Sequence, residues 1–515
     1  MNKRLTLAVL LGFATCGVIQ AQQAPGIIWD KSIGGEGPEN VNVITVSDDE
    51  TEFITAGISY STTHHAEDFI GGGDALVTQG IVSSGALLNT FNLGGGDLDD
   101  LLGVSKTPDG GHLFAGLANS EDLGFENKGL SDAWFVKLNA QGQVVWQTTF
   151  GGSHFDWAYK ALELENGDVI FAGHTRSNDF DAVGPLTGET NVWVGRFNPV
   201  TNEMIWQNKF GGNNLDTAYD MVQGLDGSFY IVGRTNSTDV PNHKGDDDGY
   251  LLNIDGDGNL IWHTAFGGSS IDNFRHCHLD DVGNLVIGGN SMSTDGDLTG
   301  NHGSVDFWLL KISTLGEVIY SKNYGGTDID RLYSIAKTHT GGTVAVGTTY
   351  SNNVDVTSNQ GSNDFWVIEV DDEGTLLWQS TYGGSGGETA LTVVPLTNGN
   401  FLVGGATSST DGDISENLGN TDGWMIYIGE NLSTAEVAAN NTLNVYPNPV
   451  KDQLFVKSEL PVLKTSIIDM SGRVLNTAKH NSQQVSLNTS ALLPGVYILS
   501  IETEAGVQTQ KIIKR

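Results

Sequence analysis

Apolar residues in this chain come in runs of strand length, broken by Gly, Asn and Asp. Ala158 to Leu164, Asp168 to Thr175, Val192 to Asn198 and Met204 to Phe210 are four such runs in succession. Asn166-Gly167, between the first two, is a tight-hairpin signal that recurs as Asp109-Gly110, Asp226-Gly227 and Asn398-Gly399. A longer polar loop, ending at Asn191, separates the second run from the third. The pattern predicts a meander of four antiparallel strands, A to D.

The unit is copied along the chain. Gly-Gly followed by three residues and an acid marks it seven times, with first glycines Gly34, Gly94, Gly151, Gly211, Gly267, Gly325 and Gly383. The gaps are 60, 57, 60, 56, 58 and 58 residues. Such a period means one supersecondary unit in an array, and four strands per unit predict propeller blades. Seven sets of A, B and C strands are present. The last C strand, Trp424 to Ile428, is followed by Glu430-Asn431-Leu432-Ser433 and not by a D strand. A D-type strand without a blade, Gly26 to Ile33 with Trp29, precedes the first set. The expectation is therefore an all-β, seven-bladed propeller over residues 22–430, closed by the N-terminal strand, because closure leaves no exposed sheet edge. An open solenoid would leave both strands unpaired. In a closed meander the short A–B and C–D turns share one face. The longer B–C loops and D–A crossings share the other, which is the candidate functional face.

Two polar positions are invariant between copies. One is the acid of the Gly-Gly mark: Glu39, Asp99, Asp156, Asp216, Asp272, Asp330 and Glu388. A ring of carboxylates could form a cation-attracting mouth, or each could accept backbone N–H groups within its own D–A turn. The other is a serine opening the B–C loop: Ser61, Ser120, Ser177, Ser237, Ser293, Ser351 and Ser409. Two of these begin Ser-Thr-Asp-Gly-Asp, carrying Asp295 and Asp297 in one copy and Asp411 and Asp413 in another; Asp179 and Asp181 are the corresponding pair in the third. Alternating Asp and Gly is how short loops gather oxygen ligands for calcium, and Asx turns explain the same letters. Asp255-Gly256-Asp257-Gly258-Asn259 falls at a C–D hairpin and reads as a turn.

Departures from the repeat carry more functional information. Arg275-His276-Cys277-His278 occupies strand A of copy five, where copy three has Tyr159-Lys160-Ala161-Leu162 and copy six Tyr333-Ser334-Ile335-Ala336. His276 and His278 share one face of a strand and could ligate a transition metal given a third ligand; Cys277 takes the other face as core. His64-His65 is a weaker signal. No nucleophile elbow, phosphate loop, zinc-protease helix or dinucleotide fingerprint is present. The many carboxylates leave a glycosidase pair open.

Charge narrows the partners. Of a formal net charge of -37, residues 23–439 carry 15 basic and 57 acidic side chains. That surface repels phosphate backbones and excludes nucleic acid. It favours cations such as calcium, or is a solvated coat. Gly 68 and 38% hydrophobic residues suit many short strands joined by turns. Cys16 and Cys277 are the only cysteines, so no disulfide framework supports the fold. Residues 1–21 read as a secretory signal, with Lys3 and Arg4, the apolar run Leu5 to Ile19, and Ala21 before cleavage. Phe13-Ala14-Thr15 ahead of Cys16 is a poor lipobox. No later stretch is long and apolar enough to span a bilayer as a helix.

Beyond an Ala/Asn-rich linker at residues 431–442 the charge turns positive and the repeat stops. Residues 443–515 show alternating strands at Gln453 to Lys457, Lys464 to Asp469, Val485 to Asn488, Val496 to Glu502 and Thr509 to Lys514, a small Ig-like β-sandwich. Here the marks are Tyr446-Pro447-Asn448-Pro449, the run Asp469 to Leu475 with Gly472 and Arg473, Leu493-Pro494-Gly495-Val496-Tyr497, and the basic end Lys511 to Arg515. This segment resembles the C-terminal sorting domain of the type IX secretion system. The resemblance implies Sec export and then outer-membrane passage through that machinery. It also implies removal of the tail and a final place on surface lipopolysaccharide or in the medium. The repeats resemble those of surface and secreted proteins with the same tail. Three functions follow: a propeller that binds glycan, protein or calcium; a glycan hydrolase or lyase; or a structural component of the cell surface. Departures converging near the pore would favour the enzyme; their absence would favour the structural role.

Overall fold

The computed structural model describes residues 24–66, 69–122, 127–298, 300–429, 443–468, 474–503 and 506–515. The expected signal segment, residues 1–21, and the linker, residues 431–442, lie outside them. The chain divides into two compact units, Met1–Glu430 and Asn431–Arg515.

In the first unit the described residues form seven four-stranded antiparallel sheets, each a blade. Blade three is representative. Its strands are Asp156–Glu163, Val169–Thr175, Asn191–Asn198 and Glu203–Phe210, with Asp156 opposite Thr175 and Val192 opposite Phe210. Blade seven takes Glu388–Pro395, Phe401–Thr407 and Asp422–Gly429 from the end of the repeats and Gly26–Ile33 from their beginning. Ser32 lies opposite Trp424 and Gly26 opposite Gly429. The ring is thus closed by the N-terminal strand, as the strand count requires.

Blades are held together by aromatic side chains on their third strands. Trp134, Trp193, Trp308, Trp366 and Trp424 are fully buried, each removing enough surface from water to be worth roughly 3 kcal/mol. They pack across blade boundaries: Phe307 lies 4.5 Å from Trp366 and Phe365 4.7 Å from Trp424, centroid to centroid. This accounts for an aromatic residue recurring two positions after Asp132, Asn191, Asp248, Asp306, Asp364 and Asp422.

The innermost strands line the central channel. In blades two to seven each carries a register step, as between Ala158 and Lys160 or Phe274 and His276. A bulge of this kind re-aims one side chain per strand.

The second unit is one five-stranded antiparallel sheet: Asn444–Tyr446, Gln453–Ile468, Val474–Asn488, Gly495–Thr503 and Gly506–Lys514. The two strands expected at 453–457 and 464–469 are a single long one. It pairs Asn444–Tyr446 in its first half and Gly495–Thr503 in its second, with Val474–Asn488 along its other edge. One core of Leu454, Val456, Ile467, Leu487, Leu499 and Ile512 unites the strands. Val450 N–H donates to Ile513 O at 2.7 Å and ties the start of the sheet to its end.

Candidate functional site

The invariant acid and the invariant serine form one buried clasp. Asp156 accepts hydrogen bonds from Gly152 N–H at 2.7 Å, Ser177 Oγ at 2.7 Å and the Thr175 hydroxyl. Asp272 repeats this with Gly268 N–H and Ser293, and Asp330 with Gly326 N–H and Ser351. These carboxylates are 0% exposed. They brace the D–A turn against the B–C loop and do not form a cation-attracting mouth.

The six loop aspartates also serve local structure. Asp179, Asp295 and Asp411 each accept a backbone N–H, from Ser153, Ser269 and Ser385. Asp181, Asp297 and Asp413 accept the N–H of Gly151, Gly267 and Gly383. Each of the second three also reaches the preceding blade, pairing with Lys128, Lys244 and Gln360 respectively. Asp255 accepts the N–H groups of Asp257 and Asn259, as a turn requires. His65 Nδ1 accepts Gly34 N–H. Among the described residues no group of three or more His, Cys, Asp and Glu side chains is placed to hold a metal ion.

His276 and His278 do share a face. His276 Nδ1 donates to Ile335 O at 2.8 Å, and His278 Nε2 lies 3.0 Å from Thr343 Oγ1. Burial holds the His278 imidazole down at about 4. Cys277 is buried in the core with Ile287 and Trp308, and burial pushes its thiol up.

The blades differ most in the channel. The bulged position presents Leu102, Tyr159, Tyr219, Arg275, Tyr333 and Leu391 in blades two to seven, and Asn42 takes the corresponding place in blade one. Aromatic and cationic side chains therefore gather on blades three to six. The Arg275 guanidinium lies 4.6 Å above the Tyr219 ring, and Tyr159 meets Tyr219 edge-on at 5.1 Å. Beneath them Asp220 faces Lys160 at 3.5 Å and His276 Nε2 at 3.4 Å, and accepts Cys277 N–H at 2.9 Å. Burial opposes ionisation of Asp220, but His276, Lys160 and the backbone donor outweigh it and hold the carboxyl below its usual range.

Two pockets flank the channel at its mouth on the B–C/D–A face. The one between blades three and four measures about 330 Å³ and is lined by Phe155, Trp157, Tyr159, Tyr219, Arg176 and Arg234. Its counterpart between blades five and six, about 260 Å³, is lined by Asn273, Arg275, Arg331 and Tyr333. Tyr159 and Tyr219 are walls shared by the channel and the first pocket; Arg275 and Tyr333 are shared with the second. Residues 23–439 contain five arginines, and four of them are here. Sequence reasoning singled out Arg275 and His276 as a departure but missed the tyrosines. The signal was available as one aligned inner-strand position whose residue changes from copy to copy.

In the second unit Tyr446 stacks on Phe455 at 5.8 Å. Asn448 spans to the last strand: Nδ2 donates to Lys511 O at 2.8 Å and Oδ1 accepts Ile513 N–H at 2.8 Å. The Tyr446–Pro447 and Asn448–Pro449 peptides are cis. Gly495 opens its strand, and Tyr497 is buried with its hydroxyl on Leu493 O. Gly472 and Arg473 lie outside the described residues.

Residues 444–515 match the family model of the secretion system C-terminal sorting domain. Among curated proteins, the regulatory protein FlaEY of Caulobacter vibrioides is 24% identical over 351 residues, 60% of this chain and 36% of that protein. The chain thus spans about a third of the length of that relative. Among solved structures it is similar to PorZ, an essential surface component of the type-IX secretion system of Porphyromonas gingivalis, at 12% identity and TM-score 0.40, over 94% of this chain and 60% of that one. It is also similar to a fungal alcohol oxidase of the AA5 family in complex with copper, at 12% identity and TM-score 0.45, over 95% and 100% of the two chains. The WD40 domain of Neurospora crassa Pan2 follows at 10% identity and TM-score 0.41, over 77% and 95%.

Proposed function

We propose that this chain is a ligand-binding propeller delivered by type IX secretion, with its site at the channel mouth between blades three and six. The C-terminal unit is a type IX sorting domain, so the chain is cargo of that machinery, bound for the cell surface or the medium. Residues 1–21 would act as the leader for the first, Sec-dependent step.

One observation carries the binding reading. Seven near-identical blades give a symmetric scaffold, yet the residues that break the symmetry converge on one mouth. Rigid scaffolds place binding residues in this way, in a concave site with convergent polar groups. Among the described channel-lining residues Asp220 is the one carboxylate, and it is committed to Lys160, His276 and Cys277 N–H. That commitment favours binding over glycan cleavage, which needs an available acid and base.

The test is a glycan array together with capture of surface proteins, using the full mature chain. Trp157→Ala and Tyr219→Ala are expected to lower binding at least ten-fold. Leu225→Ser, at an exposed A–B turn on the opposite face, is expected to leave it intact. Equal loss in all three, or in none, would remove the mouth as the site.

A further inference from the structure

We infer that the ligand is an acidic glycan whose carboxylate-bearing sugars are held between the arginines and aromatic rings of the mouth. This rests on the binding reading above and names the ligand class of that site. Of the 15 lysines and arginines between residues 23 and 439, 11 form an ion pair with a carboxylate, Arg176 and Arg234 among them. Arg275 and Arg331 nevertheless have no ion-pair partner among the described residues. Arg275 Nε is buried without a hydrogen-bond acceptor there, as is Arg234 Nε. Leaving buried guanidinium donors unspent costs free energy that a bound anion would offset.

Arg275 is also oriented. Tyr219 beneath the Arg275 guanidinium fixes its plane and leaves the fork edge for a planar carboxylate, which guanidinium meets with two parallel N–H···O bonds. Beside the cations stand flat apolar faces, Trp157 and Tyr219 in one pocket and Tyr333 in the other. Such faces suit the C–H surface of a sugar ring. At about 330 and 260 Å³ the pockets lie at the small end of ligand sites, and both pair arginine with aromatic rings at equivalent places on the scaffold. A polymer with a ring and a charge in every unit matches that repetition. The acidic coat does not forbid it, because exposed charges more than about 8 Å away are largely screened at physiological ionic strength.

Calorimetry on the full mature chain would use oligomers of galacturonate, glucuronate and mannuronate, their carboxyl-reduced counterparts, and poly-glutamate. At least one uronate series is expected to bind, with the reduced form ten-fold weaker or worse. Arg331→Gln, at an exposed position, should lower affinity about ten-fold with an unchanged melting temperature; Arg275→Gln should lower it further. Equal binding of reduced and acidic oligomers would overturn the anionic class and leave the binding reading standing. Poly-glutamate binding as tightly as the uronates would overturn the sugar. Uronate binding indifferent to both arginine variants would overturn the site. Silence toward every uronate, with a neutral glycan or protein bound at the mouth, would overturn this inference alone. Silence toward all probes would overturn both readings.

Discussion

At Val354 a β-branched side chain sits at φ +60°, where the same loop of two other copies has Gly296 at +71° and Gly412 at +69°. Phe180 takes the position in blade three at φ +47°. The left-handed conformation costs an L-residue roughly 1–2 kcal/mol, while glycine loses about 0.5–1 kcal/mol more backbone entropy on folding. Val354 is 57% exposed and gives up little packing when removed. Val354→Gly is therefore expected to stabilise the chain by about 0.5–1 kcal/mol in urea unfolding, and a loss of stability would count against the loop geometry. Residue letters alone showed which positions repeat but not what they touch. Asp156 and Ser177 read as two separate invariants 21 residues apart, and the structure makes them one hydrogen bond. Asp297 read as an oxygen for calcium because its partner, Lys244, lies 53 residues away on another blade. Contacts between blades are invisible to a reading that proceeds within one repeat.

Elements were easier to read than contacts, and their failures have local causes. The closing strand was legible because an unpaired edge had to be filled. Its Trp29 packs on Phe53 at 6.1 Å and Tyr427 at 5.7 Å, and its indole N–H donates to Val82 O at 2.9 Å, stitching blade seven to blade one. Trp29→Ala is expected to cost about 2–3 kcal/mol, a part-buried version of the usual Trp truncation. Removing Gly26–Ile33 should cost more, since the cut exposes the edge of Asp422–Gly429; a full-length melting temperature after that deletion would exclude the closed ring. In the sorting domain two strands were expected, at 453–457 and 464–469, and Pro461 lies between them. It falls within the register step between Lys457 and Val462, where the missing N–H is tolerated, so the strand continues. Asn448 holds the opening motif to the final strand by two hydrogen bonds. Asn448→Ala should destabilise this domain by about 1–3 kcal/mol and reduce delivery to the cell surface.

For the whole molecule, the repetition of buried carboxylates sets a pH response. Asp74, Asp132, Asp306 and Asp364 open the third strands of their blades, 0% exposed, with Oδ1 unpartnered among the described residues. Burial first, and then the neighbouring charge of Asp99, Asp156, Asp330 or Glu388, raises them to about 6, 7, 6 and 6 respectively. Blade three has Asn191 at this place, and its amide donates to Phe210 O, as a protonated acid would. A folded carboxyl raised above its unfolded value binds a proton that the unfolded chain has released. Its stabilisation is complete below about pH 4 and is lost as pH rises through 6 to 7. Buried His112, His174 and His278, lowered by burial to about 4, 3 and 4, act in the opposite sense between about pH 4 and 6.5. Asp109 and Asp280, held at about 2, change nothing above pH 4. A single melting curve mixes these effects, so the difference between wild type and Asp132→Asn is the cleaner measurement. The amide mimics the protonated acid at every pH. From pH 5 to pH 8 the variant should gain about 2 kcal/mol relative to wild type, because only the wild type has a proton to lose. A difference that stays constant across that range would mean that Asp132 is already ionised at pH 5.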